Sequence, residues 1–143
     1  MSVLSEKIRV ALFNKMNVPS VTSLASGGIH HIHAPENASK PFVIFQRQAS
    51  GDVIRSFSNS LLAEDDLWLV KAISDEDSST TKEPQQLNAE ILAACENAIG
   101  SSLAITGGTV YDASRLRDIP EYYEIAADRS IYHSGFILRI VSA

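Results

Sequence analysis

The stretch Leu67-Trp68-Leu69-Val70-Lys71-Ala72-Ile73 decides the fold, because this apolar run of strand length lies near the middle of a 143-residue chain. In an extended conformation, successive side chains point to opposite faces of a sheet. The two predicted faces carry Trp68, Val70 and Ala72 on one side, and Leu67, Leu69 and Ile73 on the other. Since both faces are apolar, we expect the strand Asp65–Ser74 to be covered on both sides, by the rest of the fold or by a neighbouring subunit.

Two helices are predicted outside this strand. Ile8 and Leu12 form an apolar stripe at helical spacing, which predicts a helix over Ser2–Met16 that ends before Pro19. A second helix begins at Pro84, since proline is favoured in the first turn, and Gly100 is its expected C-terminal cap. Its predicted buried stripe consists of Leu87, Ile91, Ala94, Cys95, Ala98 and Ile99.

The remaining apolar runs predict further strands and one short helical turn. The turn covers Val21–Ser26, and the strands or extended segments cover Ile29–Ala34, Phe42–Gln48, Val53–Phe57, Leu103–Thr106, Thr109–Ala113 and Ser130–Val141. Gly51-Asp52 is expected to interrupt the second strand, and Gly107-Gly108 to form a hairpin turn. Because strands arrive in runs rather than alternating with helices, we predict a single α+β domain over residues 1–143. It has a mixed, mostly antiparallel sheet with two main helices packed on one face.

The composition excludes some classes of function. A net charge of −5 and a pI near 5.3 argue against a protein that grips nucleic acid, since phosphate binding requires clustered Lys and Arg. The single cysteine, Cys95, cannot form an intrachain disulfide, which fits a reducing compartment. We find no leader pattern and no apolar stretch of spanning length, so we expect no membrane association.

The histidines are the strongest candidates for chemistry. In an extended segment, His31 and His33 share one face and His30 points the other way, so two imidazoles could bind a transition metal. A zinc site needs three or four protein ligands, and the only other histidine is His133. Cys95 lies on an apolar helical stripe and is expected to be a buried hydrophobe. We therefore predict no catalytic residue, no metal and no cofactor.

Two segments are candidate interfaces with other proteins. The first is the acidic stretch from Asp75 to Lys82, which includes Glu76 and Asp77 and has no apolar residue. Its composition indicates a mobile, solvated loop. We hypothesise that this loop becomes ordered when it docks onto a partner.

The second candidate lies between Arg115 and Glu124, a polar stretch around Pro120 that is predicted to be irregular. Arginine and tyrosine are enriched where interfaces concentrate their binding energy. The alternative is an ordinary surface loop with ion pairs. The residues of interest here are Arg115, Arg117, Tyr122 and Tyr123.

The order of these elements resembles the tail-completion, or tail-terminator, proteins of long-tailed bacteriophages, over nearly the whole chain. The elements that carry the resemblance are the helix Leu4–Met16, the strands Gly28–Pro35, Pro41–Phe45 and Leu67–Ala72, the helix Leu87–Ile99, and the final strand Tyr132–Ile140. His30-His31 stands where such proteins often carry a Tyr-Asp type pair, and Ser114–Asp128 is longer than expected, so no functional residue is carried over.

The resemblance implies a non-enzymatic virion protein that forms a ring, typically a hexamer, at the head-proximal end of the tail. Such a ring caps the tail tube, ends its polymerisation and offers a surface for the head. The implied partners are further copies of the chain, the tail tube protein and a head–tail connector or neck protein. DNA passes through the lumen without specific binding, and assembly takes place in the host cytoplasm. Two alternatives remain: a head-closure or neck protein of the same virion, and a small ligand- or metal-binding domain.

Overall fold

The described residues form three helices and five strands. The computed structural model describes residues 2–55, 61–100 and 102–143. In chain order, the elements are α1 (Val3–Met16), α2 (Pro19–Thr22), β1 (Ile29–His31), β2 (Phe42–Arg55), β3 (Leu61–Asp75), α3 (Pro84–Ile99), β4 (Val110–Ala126) and β5 (Arg129–Ser142). No helix within these ranges is long and apolar enough to cross a membrane.

The strands build one sheet in the order β1-β2-β3-β5-β4. β1 runs parallel to β2, and every other neighbouring pair is antiparallel. The prediction of an α+β fold with a mixed, mostly antiparallel sheet is confirmed.

The central strand β3 shows the predicted alternation. Trp68 pairs with Leu138 and Val70 pairs with Phe136, and all four side chains are buried. They belong to one apolar cluster that also contains Ile8 and Leu12 of α1 and the α3 stripe of Leu87, Ile91, Cys95 and Ile99. We call this side of the sheet the helix face.

The opposite side of the sheet, here called the open face, lies outside that cluster. It carries Leu67, Leu69 and Ile73, as predicted, but none of the three is in the cluster that contains the helices. Leu67 and Leu69 are only half-buried, whereas Ile73 is 5% exposed. The helices cover one face of β3, and the described residues also bury the open face around Ile73 and Ile137, each 5% exposed, but not fully at Leu67 and Leu69.

Local sequence signals explain the helix boundaries. The Ser2 hydroxyl caps α1 by accepting a 3.0 Å hydrogen bond from the Ser5 backbone N–H. α3 begins at Pro84, as predicted. It ends at Gly100, whose φ of 56° lies in the left-handed region that glycine tolerates.

Gly51-Asp52 does not interrupt β2, so that prediction was wrong. The register moves from Ser50 opposite Asp66 to Val53 opposite Glu64, which places one extra residue in β2 as a β-bulge. The predicted second strand over Val53–Phe57 is therefore a continuation of β2 as far as Arg55, and residues 56 and 57 lie outside the described ranges.

Leu103–Thr106 is not a strand. Leu103 is instead 5% exposed and belongs to the apolar cluster, and the Lys15 ammonium of α1 donates a 3.2 Å hydrogen bond to the Ser102 hydroxyl. The apolar residues of this segment thus fill the core from an irregular backbone.

The segment Arg115–Glu124 is not irregular, because it lies inside β4. The strand accommodates Pro120 through a shift in register between Ile119 opposite Gly135 and Tyr122 opposite His133. Proline is tolerated at such a bulge on a sheet edge, where its missing N–H costs no ladder hydrogen bond.

Candidate assembly surface on the β4–β5 hairpin

β4 is an edge strand whose two faces are both largely exposed. Its partner is β5, and no strand in the described part of the chain pairs with its other side. It nevertheless carries large apolar side chains in solvent, and Ile125 is the most exposed at 73%. The full set is Tyr111, Leu116, Tyr122, Tyr123 and Ile125. These side chains are distributed along both faces of the strand, which makes the hairpin a candidate interaction surface.

Tyr122 is the centre of a polar cluster on the open face. Its ring stacks on the His133 imidazole with a centroid distance of 4.3 Å, and its hydroxyl accepts a 3.2 Å hydrogen bond from the Lys71 ammonium. The Nε2–H of His133 donates to a Glu124 carboxylate oxygen at 2.8 Å. Burial lowers the pKa of His133, an effect that the hydrogen bond to Glu124 opposes and the nearby Lys71 charge reinforces.

Tyr123 lies on the other side of the strand, close to the first turn of α3. Its ring is 5.8 Å from that of Tyr132, and the side chain is 64% exposed. The two tyrosines line a depression of about 190 Å³ together with Gln85 and Glu121. The adjacent tyrosines predicted as interface residues therefore present aromatic surface on both faces of the hairpin.

Arg115 links β4 to α3. Its guanidinium forms ion pairs with Glu96 at 2.8 Å and with Asp118, and it lies over the Phe136 ring at 5.3 Å from the centroid. The hydrogen bond to Asp118, followed by that to Glu96, raises the pKa of Arg115. Depressions of about 290 and 380 Å³ lie along α3, and Arg115 lines both.

Arg117 faces the opposite way. It pairs with Ile137 on the open face, because Leu116 is an extra residue between the Arg115–Leu138 and Arg117–Ile137 partners. The two arginines predicted as one interface cluster therefore lie on different faces of the sheet.

The acidic candidates form a turn that is held by hydrogen bonds, and Glu76 and Asp77 are exposed to solvent, as expected. Asp75 is the last residue of β3 and is 6% exposed. Its carboxylate accepts hydrogen bonds from the Asp77 N–H and the Ser78 hydroxyl, at 3.1 and 3.0 Å. Arg129 of β5 lies 3.5 Å from Asp75 and 2.8 Å from Asp77, whereas Glu76 points into solvent. An aspartate can satisfy its own turn in this way, which acidic composition alone does not reveal.

The sheet register brings most of the predicted residues to one end. Asp75 lies opposite Ile131, and Ile131 lies opposite Glu124, so the acidic turn and the tyrosine pair are separated only by β5. Arg115 and Arg117 lie further along β4. Sequence reasoning missed Lys71, Glu124 and Arg129, whose roles depend on pairings between distant segments.

The histidine segment does not assemble a metal site within the described residues. No group of three or more His, Cys, Asp or Glu side chains there is placed to hold an ion. His30 bonds the Gly27 carbonyl at 2.8 Å, and His31 lies against the Phe45 ring with a centroid distance of 5.3 Å. Desolvation lowers the pKa of His31. His31 and His33 were expected to lie on the same face of one strand. They do not, because β1 ends at His31.

Cys95 is buried on α3, as predicted. Burial raises the pKa of its thiol to about 12, so the thiolate required of a nucleophile is scarce at neutral pH.

Comparison with known proteins identifies the fold. No protein-family model and no curated protein matches the chain. A chain from the virion of a native gene transfer agent (GTA) particle has the same fold, with a TM-score of 0.72 over 99% of this chain and 99% of that chain. The two sequences are 14% identical.

Proposed function

We propose that the chain is a structural protein of a phage-like virion, and specifically a tail terminator that forms a ring on the tail tube. The observation that carries the proposal is the end-to-end match in fold to a chain of a gene transfer agent virion. Because the match covers 99% of both chains, it includes all the main elements of each fold. The order of elements in the sequence resembles tail-terminator proteins independently of that match.

The exposed hairpin supports a role in assembly. A closed ring requires two different patches on each subunit, because each copy contacts one neighbour with one patch and the next neighbour with the other. The apolar side chains of β4 supply a surface that the described residues leave exposed. In this proposal, Tyr122 and Tyr123 are buried against another protein in the virion.

The acidic turn and the arginines serve the same interfaces. Asp75 and Asp77 are already held by Arg129, so the turn presents Glu76 in a fixed position and docks without a large ordering cost. Arg115 and Arg117 offer guanidinium groups on the two faces of β4. The implied partners are further copies of the chain, the tail tube protein and a head–tail connector or neck protein.

The net charge suits a ring through which DNA passes. With a formal charge of −5 per chain, a ring of several copies repels the phosphate backbone, so DNA moves through the lumen without being held. In this proposal the protein acts in the virion, at the head-proximal end of the tail, and is not an enzyme.

Electron microscopy of the protein mixed with its tail tube protein tests the proposal. We expect rings on one end of each tube, and tubes of limited length. Tyr123→Ala should abolish the capping, whereas Val3→Ser, at a 75% exposed position on α1, serves as a control that leaves it intact. Rings that bind a portal or neck complex but never a tube would instead indicate a head-closure protein. Uncapped tubes with no ring in either mixture would contradict the proposal.

A further inference from the structure

The short strand β1 ends in a strained turn. Ile32 has a φ of +71°, and the His33 N–H donates a 2.8 Å hydrogen bond to the His31 carbonyl, which defines a γ-turn with a left-handed central residue. A β-branched side chain is rare in this region of backbone space, and such outliers concentrate at functional positions. Ile32 is also 56% exposed. The chain thus holds an apolar side chain in solvent at a cost in backbone strain.

This turn leaves the edge of β2 unpaired beyond β1. β1 pairs with β2 only from Ile29 opposite Val43 to His31 opposite Phe45, and the Ile32 N–H adds one more bond to the Phe45 carbonyl. From Gln46 onward, no strand of the described ranges pairs with this side of β2. The sheet therefore has two free edges, at β2 and at β4.

The two free edges match in direction and in height. β4 runs antiparallel to β2, because three antiparallel pairings separate them in the sheet. In a closed ring whose axis follows the strands, rotation places β4 of one copy beside β2 of the next at the same level. The free part of β2 begins at Gln46. At this level Gln46 pairs with Leu69 of β3, Leu69 with Ile137 of β5, and Ile137 with Arg117 of β4.

At that level, each edge presents an exposed apolar side chain. His31 pairs with Phe45, so Ile32, the next residue, lies near the level of Gln46. On the other edge, Leu116 immediately precedes Arg117, which is at the level of Gln46. Leu116 is the extra residue of a bulge and is 50% exposed. The part of β4 from Val110 to Arg117 contains no proline and is level with the free part of β2. Pro120, which lacks an N–H to donate, is level with the part of β2 that already pairs with β1.

We infer that the β4 edge of one copy binds the β1–β2 edge of a second copy, with Leu116 against Ile32 and β4 pairing antiparallel to β2 beyond Gln46. This inference rests on the proposed ring and names its subunit interface. The joint continues the sheet from one copy into the next through main-chain hydrogen bonds, as in strand addition at an exposed edge. It also explains the strain at Ile32, since that turn both frees the edge and aims the apolar contact.

Cysteine cross-linking tests the inference directly. Cys95 is buried, so cysteines introduced by Ile32→Cys and Leu116→Cys are the reactive ones. A chain that carries both substitutions, mixed with tail tube protein and oxidised, should give a ladder of covalent oligomers that ends at the ring size. A chain with either substitution alone should give none. Rings seen by microscopy without a ladder would overturn the inference and leave the proposed function standing.

The other outcomes of this experiment are equally informative. Dimers from Leu116→Cys alone would show that two β4 edges pair around a two-fold axis, which contradicts the head-to-tail contact. The absence of both rings and cross-links would overturn the inference and the proposed function together.

Ile32→Gly separates assembly from folding. Glycine adopts a φ of +71° without strain, so the melting temperature should stay the same or rise, while the loss of the apolar side chain weakens assembly about tenfold or more. Val3→Ser removes a different exposed apolar side chain, on α1 and not on a strand edge, and should leave assembly unchanged. Assembly of Ile32→Gly at the wild-type concentration would overturn the inference.

Discussion

The part of the sheet beneath the helices and the β4–β5 hairpin contain similar residues in opposite environments. Trp68 and Phe136 are fully buried beneath the helices, whereas Tyr123 and Ile125 on β4 are 64% and 73% exposed. Burial of apolar surface stabilises the first region within the chain. The same surface on the hairpin gains that free energy only when another protein covers it. The contrast separates residues that hold the fold from residues that we propose are covered in an assembly.

The largest expected effect is at Trp68. Trp68→Ala removes a fully buried side chain next to Phe45 and Leu138, and should lower the free energy of unfolding by about 3–5 kcal/mol. Tyr111→Ala, at a 65% exposed position on β4, is the matched control and should change it by less than about 0.5 kcal/mol. Urea denaturation of the two variants measures the difference, and equal losses would remove the distinction between the two regions.

A buried polar link should have the next largest effect. Asp66 is 1% exposed and accepts hydrogen bonds from the Ser5 hydroxyl at 2.7 Å and the Arg47 guanidinium at 3.0 Å. Asp66→Ala leaves both donors without this acceptor and should cost about 2–3 kcal/mol in denaturation experiments. Glu90→Ala, which breaks the exposed pair with Lys82, should cost far less. A loss at Asp66 as small as at Glu90 would show that the link does not stabilise α1 on the sheet.

Stability should fall as the pH falls below the ordinary histidine pKa. Burial lowers the pKa of His133 below its usual 6.5, so the unfolded chain binds more protons than the folded chain in this range. The contribution is complete above pH 6.5 and is lost as the pH falls through the folded pKa. Denaturation at pH 7.5 and at about pH 5.5 should show this loss, and His133→Gln should reduce it.

His31, whose pKa burial also lowers, supplies part of the same dependence. The double variant His31→Gln with His133→Gln should therefore have the flattest profile. A His133→Gln profile identical to that of the wild type would show that the histidine on the hairpin is not linked to folding.

The smallest expected effect is at Arg115. Arg115→Met keeps an apolar side chain over the Phe136 ring and removes the ion pairs with Glu96 and Asp118. Exposed ion pairs of this type contribute about 0–1 kcal/mol, so the melting temperature should hardly change. A large loss of stability would show that the link to α3 holds the hairpin in place, and would make β4 part of the folded core.

The sequence predicted the elements beneath the helices well, because burial leaves a local record. The run around Trp68 is apolar on both faces, which indicates a buried strand, and α3 has a helical apolar stripe, a Pro84 start and a Gly100 cap. These signals are local, so a single sequence contains them.

The hairpin could not be predicted in the same way. β4 is exposed on both faces, so its residues show no alternation, and Pro120 argues against a strand unless a bulge is known. The turn to β5 at Ala127-Asp128 has φ values of 51° and 64° without glycine or asparagine. The cluster of Lys71, Tyr122, Glu124 and His133 depends on the register of three strands, which no local pattern determines.

Electron microscopy of the wild-type protein with the proposed tail tube partner, beside the Tyr123→Ala variant at equal concentration, tests the role of the hairpin most directly. If the exposed hairpin is an assembly surface, the wild type should form a ring at the end of each tube. The variant should fold as stably as the wild type and leave the tubes uncapped. Capping by a folded Tyr123→Ala variant, or the absence of rings with wild-type protein, would contradict the claim that the exposed hairpin is an assembly surface.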